Sequence, residues 1–251
     1  YTNITGKPFL PPKWVFKTWR WRNNHYNLDT LYDGTKWKGK INSMVYEDIA
    51  MMEKLDIPLG VYWVDRPWAI GPFGYDDFIW DEKRLPNPQL MIDWLESRDI
   101  KFLLWIAPWV MGKMTEEAVS KNYIMPGIEK YKKLGRYLID FTNPEAVRWW
   151  QGYLEKLLLQ GVAGFKLDRS EEIVPDGANQ FVFDGRSALE VHNEYPYLYL
   201  KAVYEISKKV RGNDFILLPR AGYVGSQKYG AFWAGDTDQS EWGLRWLLYT
   251  S

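Results

Sequence analysis

The 251-residue sequence contains no cysteine and only two histidines, His25 and His192. The absence of cysteine excludes disulfides, thiolate nucleophiles and thiolate metal ligands. Two imidazoles are too few for a histidine-rich zinc or iron site. These absences argue against thiolate and histidine-rich metal sites, and we expect no metal ion or other cofactor.

The sequence also lacks a surplus of charge and long apolar runs. Its 32 basic and 32 acidic residues give a formal net charge of zero, unlike the basic surfaces of nucleic-acid-binding proteins. No apolar run approaches the roughly 20 residues that cross a bilayer. With 46% hydrophobic and 25% charged residues, the composition is that of an ordinary globular domain. Neither a nucleic acid nor a membrane is expected as a partner.

Aromatic residues, by contrast, are abundant, because 15 Trp, 17 Tyr and 11 Phe make up 17% of the chain. Indole and phenol side chains combine a flat apolar face with a polar edge. That combination suits a sugar ring, whose C–H bonds stack on the face while its hydroxyls form hydrogen bonds. A Trp-rich hydrophobic core explains the composition equally well, so both interpretations stay open at this point.

Short apolar runs alternate with amphipathic stretches along the chain. The predicted strands are Lys13–Trp19, Pro58–Asp65, Ile100–Ala107, Val162–Asp168, Asp214–Pro219 and Ala231–Asp236. They are continuously apolar, as parallel strands covered on both faces are. The predicted helices are Asn42–Leu55, Pro88–Arg98, Pro144–Gln160, His192–Val210 and Ser240–Tyr249. This alternation predicts an α/β fold with a parallel sheet.

The ends of the predicted strands favour a (β/α)8 barrel, or TIM barrel. The glycine-rich turn of dinucleotide-binding sheets is missing, whereas Asp65, Asp168, Arg220 and Asp236 stand at strand ends, where barrels place their chemistry. A complete barrel takes about 250 residues, yet only about six strand–helix units are predicted. We therefore expect an incomplete barrel, with residues 1–251 forming the catalytic portion of a longer multidomain protein that continues into strands seven and eight.

Two of these carboxylates can converge over one substrate bond. Asp168 and Asp236 occupy equivalent positions on strands two apart in the predicted order. Glycoside hydrolysis needs such a pair, since one carboxylate attacks the anomeric carbon and the other protonates the leaving oxygen. An aspartate at a strand end also serves as a helix cap or an ion-pair partner, so the pattern by itself leaves both roles open.

Five motifs spread over nearly the whole chain carry a resemblance to a known family. They are Pro11–Trp14, Trp63–Asp65, Asp140–Pro144 followed by Trp149 and Trp150, Gly164–Glu171, and the segment from Arg220 and Ala221 through Gly225–Tyr229 to Trp233–Asp236. In this order they resemble glycoside hydrolase family 31, the family of retaining α-glucosidases and α-xylosidases. Lys166-Leu167-Asp168 is similar to the form found in the α-xylosidases.

The resemblance implies a role for several residues. Asp168 would be the nucleophile that forms a β-glycosyl-enzyme, and Asp236 the general acid and then the general base, with carboxyl groups about 5–5.5 Å apart. Arg220 and Asp65 would bind sugar hydroxyls, and Trp233 would form a wall of the sugar pocket. The family's N-terminal β-sandwich and its C-terminal barrel strands and sheets would lie outside this chain.

Four further side chains are candidates for substrate binding. Trp105 and Trp19 are either sugar platforms or barrel packing. Lys166 points inward if strand alternation holds, which places a second cation near Asp168. Arg169 stands where the family usually has an apolar residue, and it either recognises an unusual or anionic substituent or pairs with Glu171 or Glu172.

The predicted function is therefore that of a retaining O-glycosyl hydrolase acting on α-xylosides, α-glucosides or α-galactosides, with an oligosaccharide or glycoside as substrate. Two alternatives stay open. An α-transglycosylase differs only in whether a sugar or water intercepts the intermediate. A non-catalytic carbohydrate-binding protein on a decayed barrel fits the aromatic content equally well.

Overall fold

The computed structural model of the chain describes residues 2–171 and 179–250. Its strands are β1 (Thr18–Arg22), β2 (Leu59–Val64), β3 (Lys101–Ile106), β4 (Trp109–Val110), β5 (Tyr137–Leu138), β6 (Val162–Leu167) and β7 (Ile216–Pro219). Five of them form a parallel sheet in the order β1-β2-β3-β6-β7, and β4 and β5 form a separate antiparallel pair. Because consecutive long strands are neighbours and parallel, the sheet curves as part of a TIM barrel.

Helices connect these strands. They are α1 (Thr2–Thr5), α2 (Ser43–Lys54), α3 (Pro88–Glu96), α4 (Met114–Ser120), α5 (Glu129–Lys132), α6 (Pro144–Leu159), α7 (Ala188–Val191), α8 (Tyr195–Arg211) and α9 (Glu241–Thr250). Short 3-10 turns cover Lys13–Phe16, Asp76–Phe78 and Ser226–Lys228. Within the described ranges, no helix combines the length and apolar character that crossing a membrane requires.

Local sequence explains the longest connecting helices. At the start of α6, the Asn143 side chain accepts hydrogen bonds from the backbone N–H groups of Glu145 and Ala146, and Pro144 occupies the first turn. This is a favourable cap, because those N–H groups have no partner inside the helix. The helix then buries an apolar face that includes Trp150 and packs against α8. The strands are consequently covered on their outer side.

The expectation of an incomplete barrel is confirmed, but two of the six predicted strands differ from the structure. The first strand begins at Thr18, because Lys13–Phe16 forms a 3-10 turn. The predicted sixth strand, Ala231–Asp236, is not a strand. Its backbone lies beside β7, and the N–H groups of Ala231 and Trp233 donate to the carbonyls of Leu217 and Pro219 at 3.0 and 3.3 Å. The segment only donates to β7, so the reciprocal ladder that defines a strand does not form.

A buried polar chain ties β1 and β2 to α2. The Asp48 carboxylate accepts from Arg20 and Arg22 at 2.8 and 2.6 Å and from the Tyr62 hydroxyl at 2.8 Å. The Tyr62 hydroxyl has one proton and gives it to Asp48, so the His25 Nε2 atom, 2.9 Å from that oxygen, must donate. A doubly protonated ring would also carry a proton on Nδ1, which is buried without a hydrogen-bond partner among the described residues, so the ring is the neutral imidazole. Burial lowers its pKa to about 3, although the charge of Asp48 opposes this shift.

We expect this histidine to make the stability of the protein depend on pH. An unfolded chain binds a proton at His25 below a pH of about 6.5, but the folded protein does not until about 3, so the free energy of unfolding falls as the pH falls through that window. The free energy of unfolding falls by up to about 1.4 kcal/mol per pH unit, which adds up to a loss of about 2 kcal/mol at pH 5. Urea unfolding at pH 7 and 5 measures it as the difference between the wild type and His25→Phe.

The matched control is His192→Phe, which changes the other, half-buried histidine. Its pH dependence should equal that of the wild type. A second group also titrates in this pH range. Burial and the neighbouring Asp77 raise the pKa of Asp76 to about 6, so protonation of that carboxyl stabilises the fold as the pH falls. The effect of His25 is therefore read from the difference in stability between the wild type and the variant, in which the contribution of Asp76 cancels. If His25→Phe and the wild type lose stability equally between pH 7 and 5, the neutral assignment of His25 is wrong.

Candidate active site

Functional side chains converge at the carboxyl ends of the parallel strands. Asp65 follows β2, Asp168 follows β6 and Arg220 follows β7, so the sheet brings all three to one edge. Asp236 ends the segment that lies beside β7. A cavity of about 990 Å³ opens there, which is large enough for an oligosaccharide fragment.

Asp168 is held in one orientation by three donors. The indole Nε1 of Trp105 donates to Oδ2 at 2.9 Å, the backbone N–H of Arg169 donates to Oδ1 at 3.0 Å, and Nη1 of Arg220 lies 2.7 Å from Oδ1. The residue is only 8% exposed but lines the cavity. Trp105 is fully buried on β3, which supports the packing role rather than the sugar platform, and its hydrogen bond to Asp168 adds a positioning role that the sequence did not predict.

The guanidinium of Arg220 contacts both Asp168 and Asp236. Nη1 of Arg220, the atom that contacts Asp168, also lies 3.5 Å from Oδ2 of Asp236. The distance between Oδ1 of Asp168 and Oδ2 of Asp236 is therefore at most the sum of these two distances, a limit that includes the about 5–5.5 Å at which retaining glycosidases hold their carboxyl groups. Asp236 is 83% exposed at its side chain, so it faces the open side of the cavity, whereas Asp168 lies at its floor.

A second ion pair lies on the same floor. Nζ of Lys166 is 3.1 Å from Oδ2 of Asp65, and it stands over the rings of Trp63 and Trp233 at 4.8 and 4.3 Å. Burial raises the pKa of the Asp65 carboxyl, and the charge and hydrogen bond of Lys166 oppose that shift. The predicted inward orientation of Lys166 agrees with this geometry, although its direct partner is Asp65.

Most of the sequence-predicted site residues therefore lie together. Seven of them line the cavity: Asp65, Trp105, Lys166, Asp168, Arg169, Trp233 and Asp236. Arg220 lies directly behind them. Of the two acidic partners considered for Arg169, Glu171 has its Oε1 atom 2.5 Å from Nε of Arg220, and Glu172 lies outside the described residues. Arg169 itself has a left-handed backbone (φ 65°).

Trp19 is the exception, and the prediction that it is a sugar platform is wrong. Its indole donates to the carbonyl of Val15 at 2.8 Å, and it does not line the cavity. Because β1 begins at Thr18, Trp19 stands near its first residue, away from the mouth. Sequence reasoning missed Trp21, which stacks on Trp63 at 5.1 Å and 26°, is 43% exposed and lines the cavity. Correct placement of the first strand would have revealed it.

Within residues 2–171 and 179–250, no group of three histidine, aspartate or glutamate side chains is arranged to hold a metal ion. What the described residues offer instead is a pair of carboxyls linked by a guanidinium, next to indole rings and a partly buried lysine. This set can attack, protonate and hydrogen-bond a sugar.

Comparison with known proteins agrees with this geometry. The family described as "Glycosyl hydrolases family 31 TIM-barrel domain" matches residues 8–248. The α-xylosidase XylQ of Lactiplantibacillus pentosus is 32% identical over 226 residues, covering 87% of this chain and 28% of its own length. An α-xylosidase of Emericella nidulans is 28% identical over 249 residues, covering 96% of this chain and 30% of its own length.

A solved structure is similar as well. A dextranase of the same family from Flavobacterium johnsoniae, complexed with glucose, superimposes with a TM-score of 0.74 at 26% identity, covering 92% of this chain and 28% of its own. The chain thus spans less than a third of the length of these relatives. With a family match over almost every residue, the chain belongs to glycosyl hydrolase family 31 and forms its TIM-barrel domain.

Proposed function

We propose that this chain supplies the catalytic carboxylates of a retaining α-glycosidase that works by double displacement. The observation that supports it most directly is the position of Nη1 of Arg220 between Asp168 and Asp236. The two contacts limit the distance between one oxygen of each carboxylate, and this limit includes the about 5–5.5 Å separation of retaining enzymes, which suits direct attack by one carboxylate.

In the first step, Asp168 attacks the anomeric carbon of an α-glycoside while the bond to the leaving oxygen breaks. Asp236 gives its proton to that oxygen, and a β-linked glycosyl-enzyme forms. The donors from Trp105 and Arg169 hold Asp168 so that an oxygen faces the cavity. Such positioning lowers the barrier, because the reacting atoms no longer need to be brought together.

In the second step, Asp236 removes a proton from water and the resulting hydroxide displaces Asp168 from the same face that the leaving group left. The product keeps the α configuration. The exposure of Asp236 supports this role, since both the departing alcohol and the incoming water need access to it. The burial of Asp168 shields the ester bond of the glycosyl-enzyme from solvent until Asp236 activates a water molecule.

Sugar hydroxyls would be bound by groups on the cavity floor. Asp65 accepts, Lys166 donates, and the indole Nε1 of Trp233 is a buried donor that no described residue accepts. Trp21 and Trp63 present stacked rings to the substrate. We propose α-xylosides, α-glucosides or α-galactosides as substrates, and the names of the two α-xylosidases that resemble the chain support the first of these.

We also propose that the chain is part of a longer multidomain protein, whose neighbouring segments complete the barrel beside β1 and beside the Ala231–Asp236 segment. Its coverage of less than a third of each relative supports this. The experiments below therefore use the full-length protein.

The stereochemistry of the first-formed product tests the proposal. We expect proton NMR of a 4-nitrophenyl α-glycoside digest to show the α-anomer of the free sugar first, with the β-anomer appearing only as mutarotation proceeds. Initial release of the β-anomer would show inversion and contradict the assignment of Asp168 as nucleophile. Calorimetry that detects sugar binding by a protein unable to cleave any of the α-xyloside, α-glucoside and α-galactoside substrates would instead favour the binding protein.

A further inference from the structure

A second, smaller cavity adjoins the proposed sugar site. It encloses about 80 Å³, and Arg66, Phe73, Trp105 and Arg169 line both cavities. We call it the annex and define it by Arg66, Arg136 and Arg169 with the rings of Phe73, Tyr75 and Trp105. Its volume equals that of two or three water molecules at about 30 Å³ each, so it accommodates one small polar group and not a further sugar ring.

The charged side chains that line the annex are all cationic within the described part of the chain. Three guanidinium groups line it, and no aspartate or glutamate does among the residues that the structure describes. Burial raises the pKa of the Tyr75 hydroxyl, and the charges of Arg136, Arg66 and Arg169 all oppose that rise. The three cations are therefore all close to this one phenol.

Two of the guanidiniums lie over aromatic rings, an arrangement that leaves their N–H edges for a ligand. The Arg136 group lies 4.0 Å from the centre of the Phe73 ring, and the Arg66 group lies 5.8 Å from that of Trp105. A guanidinium stacked on a ring keeps its N–H donors in its own plane, where a carboxylate or sulfonate can accept two at once. Within the described ranges, Nε of Arg136 is buried without a hydrogen-bond partner.

The strongest competitor for these donors is Asp76. Its pKa is raised to about 6 by burial and by Asp77, and the charge of Arg136 opposes that rise. No ion pair between Asp76 and Arg136 is present in the described part of the chain, and Asp76 does not line the annex. Among the described residues, no side chain accepts from Nε of Arg136, which leaves this donor for water or a ligand.

The order of the strands places the annex at a defined end of the substrate. β6, which carries Asp168, lies between β3 and β7. The annex adjoins the residues after β2 and on β3, whereas Asp236 lies beside β7. Since the leaving group departs at Asp236, the annex faces the sugar that becomes attached to Asp168.

We propose that the annex binds an anionic substituent on the sugar transferred to Asp168, so that the preferred substrates are α-glycosides of an acidic sugar. This inference rests on the proposed function for the identity of the sugar site. The group that binds in the annex is an oxyanion. It is either the planar carboxylate of a uronic acid or a tetrahedral group, the sulfonate of a sulfonated sugar or the sulfate ester of a sulfated one.

Calorimetry on the full-length Asp168→Asn protein tests binding without turnover. The probes are methyl α-glucuronoside, its 6-sulfonate counterpart, the 4-sulfate of methyl α-glucoside, and neutral methyl α-glucoside. We expect at least one anionic probe to bind about 10- to 100-fold more tightly than the neutral one, since hydrogen bonds to charged groups have that effect. Which probe binds best identifies the oxyanion. Equal or tighter binding of the neutral probe overturns the proposal.

A matched pair of arginine variants locates the effect. Arg136→Gln should bring the ratio of anionic to neutral affinity towards one, whereas Arg98→Gln should leave it unchanged, because Arg98 is also stacked on a ring, 4.2 Å from the centre of Trp94, but lies away from both cavities. If Arg136→Gln does not fold, Arg66→Gln serves instead, since Arg66 is exposed. An unchanged ratio in the folded annex variant overturns the proposal.

The two proposals fail in different ways. Tight, Arg136-dependent binding of an anionic sugar by a wild-type protein that cleaves no α-glycoside would support the annex and contradict the glycosidase. Retaining hydrolysis of neutral α-glycosides, with anionic probes bound no better, would support the glycosidase and contradict the annex.

Discussion

Replacing Asp168 with alanine should lower kcat/KM for aryl α-glycosides by about 10⁴- to 10⁶-fold, the order expected when a covalent nucleophile is lost. No other described carboxylate can take over, since Glu171 is engaged by Nε of Arg220 and Asp65 by Lys166. Azide should restore part of the activity, because a small anion fits where the carboxylate was removed. It attacks the face opposite the leaving group, so the product should be the β-glycosyl azide.

Glu171→Gln is the matched control for this variant. It removes the other carboxylate that contacts Arg220 but leaves the contacts of Asp168 with Trp105, Arg169 and Arg220 intact. We expect less than about a tenfold change in kcat/KM, because glutamine keeps an oxygen that can accept from Arg220 and a hydrogen bond outside the reacting atoms contributes about 1 kcal/mol. Near-normal turnover by Asp168→Ala, or an α-glycosyl azide from it, would eliminate Asp168 as the nucleophile.

The positions of the proposed site residues could be predicted from the sequence because they depend on a local rule. An apolar run followed by a charged residue describes a buried strand and its carboxyl end, and parallel strands deliver those ends to one edge. Asp65, Asp168 and Arg220 satisfy this rule. Even Asp236 does, although its segment is not a strand, because one-sided hydrogen bonds to β7 carry the backbone along the same path.

Errors arose where the local pattern does not determine the conformation. The run Lys13–Trp19 is as apolar as a strand, yet its first residues form a 3-10 turn. That difference shifts the strand towards Arg22 and makes Trp21, not Trp19, the residue at the cavity. Nothing in the sequence of one short run indicates whether it will pair with β2 from its first residue or only from its sixth.

The annex, in contrast, could not be predicted from the sequence. Arg66, Arg136 and Arg169 follow or precede three separate strands, and no spacing in the sequence connects them. Aromatic rings lie beside two of the guanidiniums, those of Arg136 and Arg66. Part of the unusual aromatic content thus has a role besides packing and sugar stacking, because Phe73 and Trp105 also contact cations beside the site.

Replacing Asp236 with alanine should slow the cleavage of a substrate most when its leaving group has to be protonated as it departs. For an alkyl or unactivated aryl α-glycoside we expect kcat/KM to fall by about 10²- to 10⁴-fold, the usual contribution of a general acid. For a 2,4-dinitrophenyl α-glycoside, whose phenolate leaves without protonation, the first step should be nearly unchanged, and the glycosyl-enzyme should accumulate because water lacks its general base.

Azide gives the complementary result with this variant. It needs no general base, so it should intercept the accumulated β-glycosyl-enzyme and yield the α-glycosyl azide, the opposite anomer to that from Asp168→Ala. Asp238→Ala is the matched control, since Asp238 is an exposed aspartate two residues farther along that accepts from the hydroxyl of Ser240 and does not line the cavity. Its activity should stay within about twofold of the wild type, as for most exposed side chains. A uniform loss for all leaving groups in Asp236→Ala would mean that Asp236 only holds Arg220 in place, because a structural defect does not distinguish a phenolate from an alkoxide.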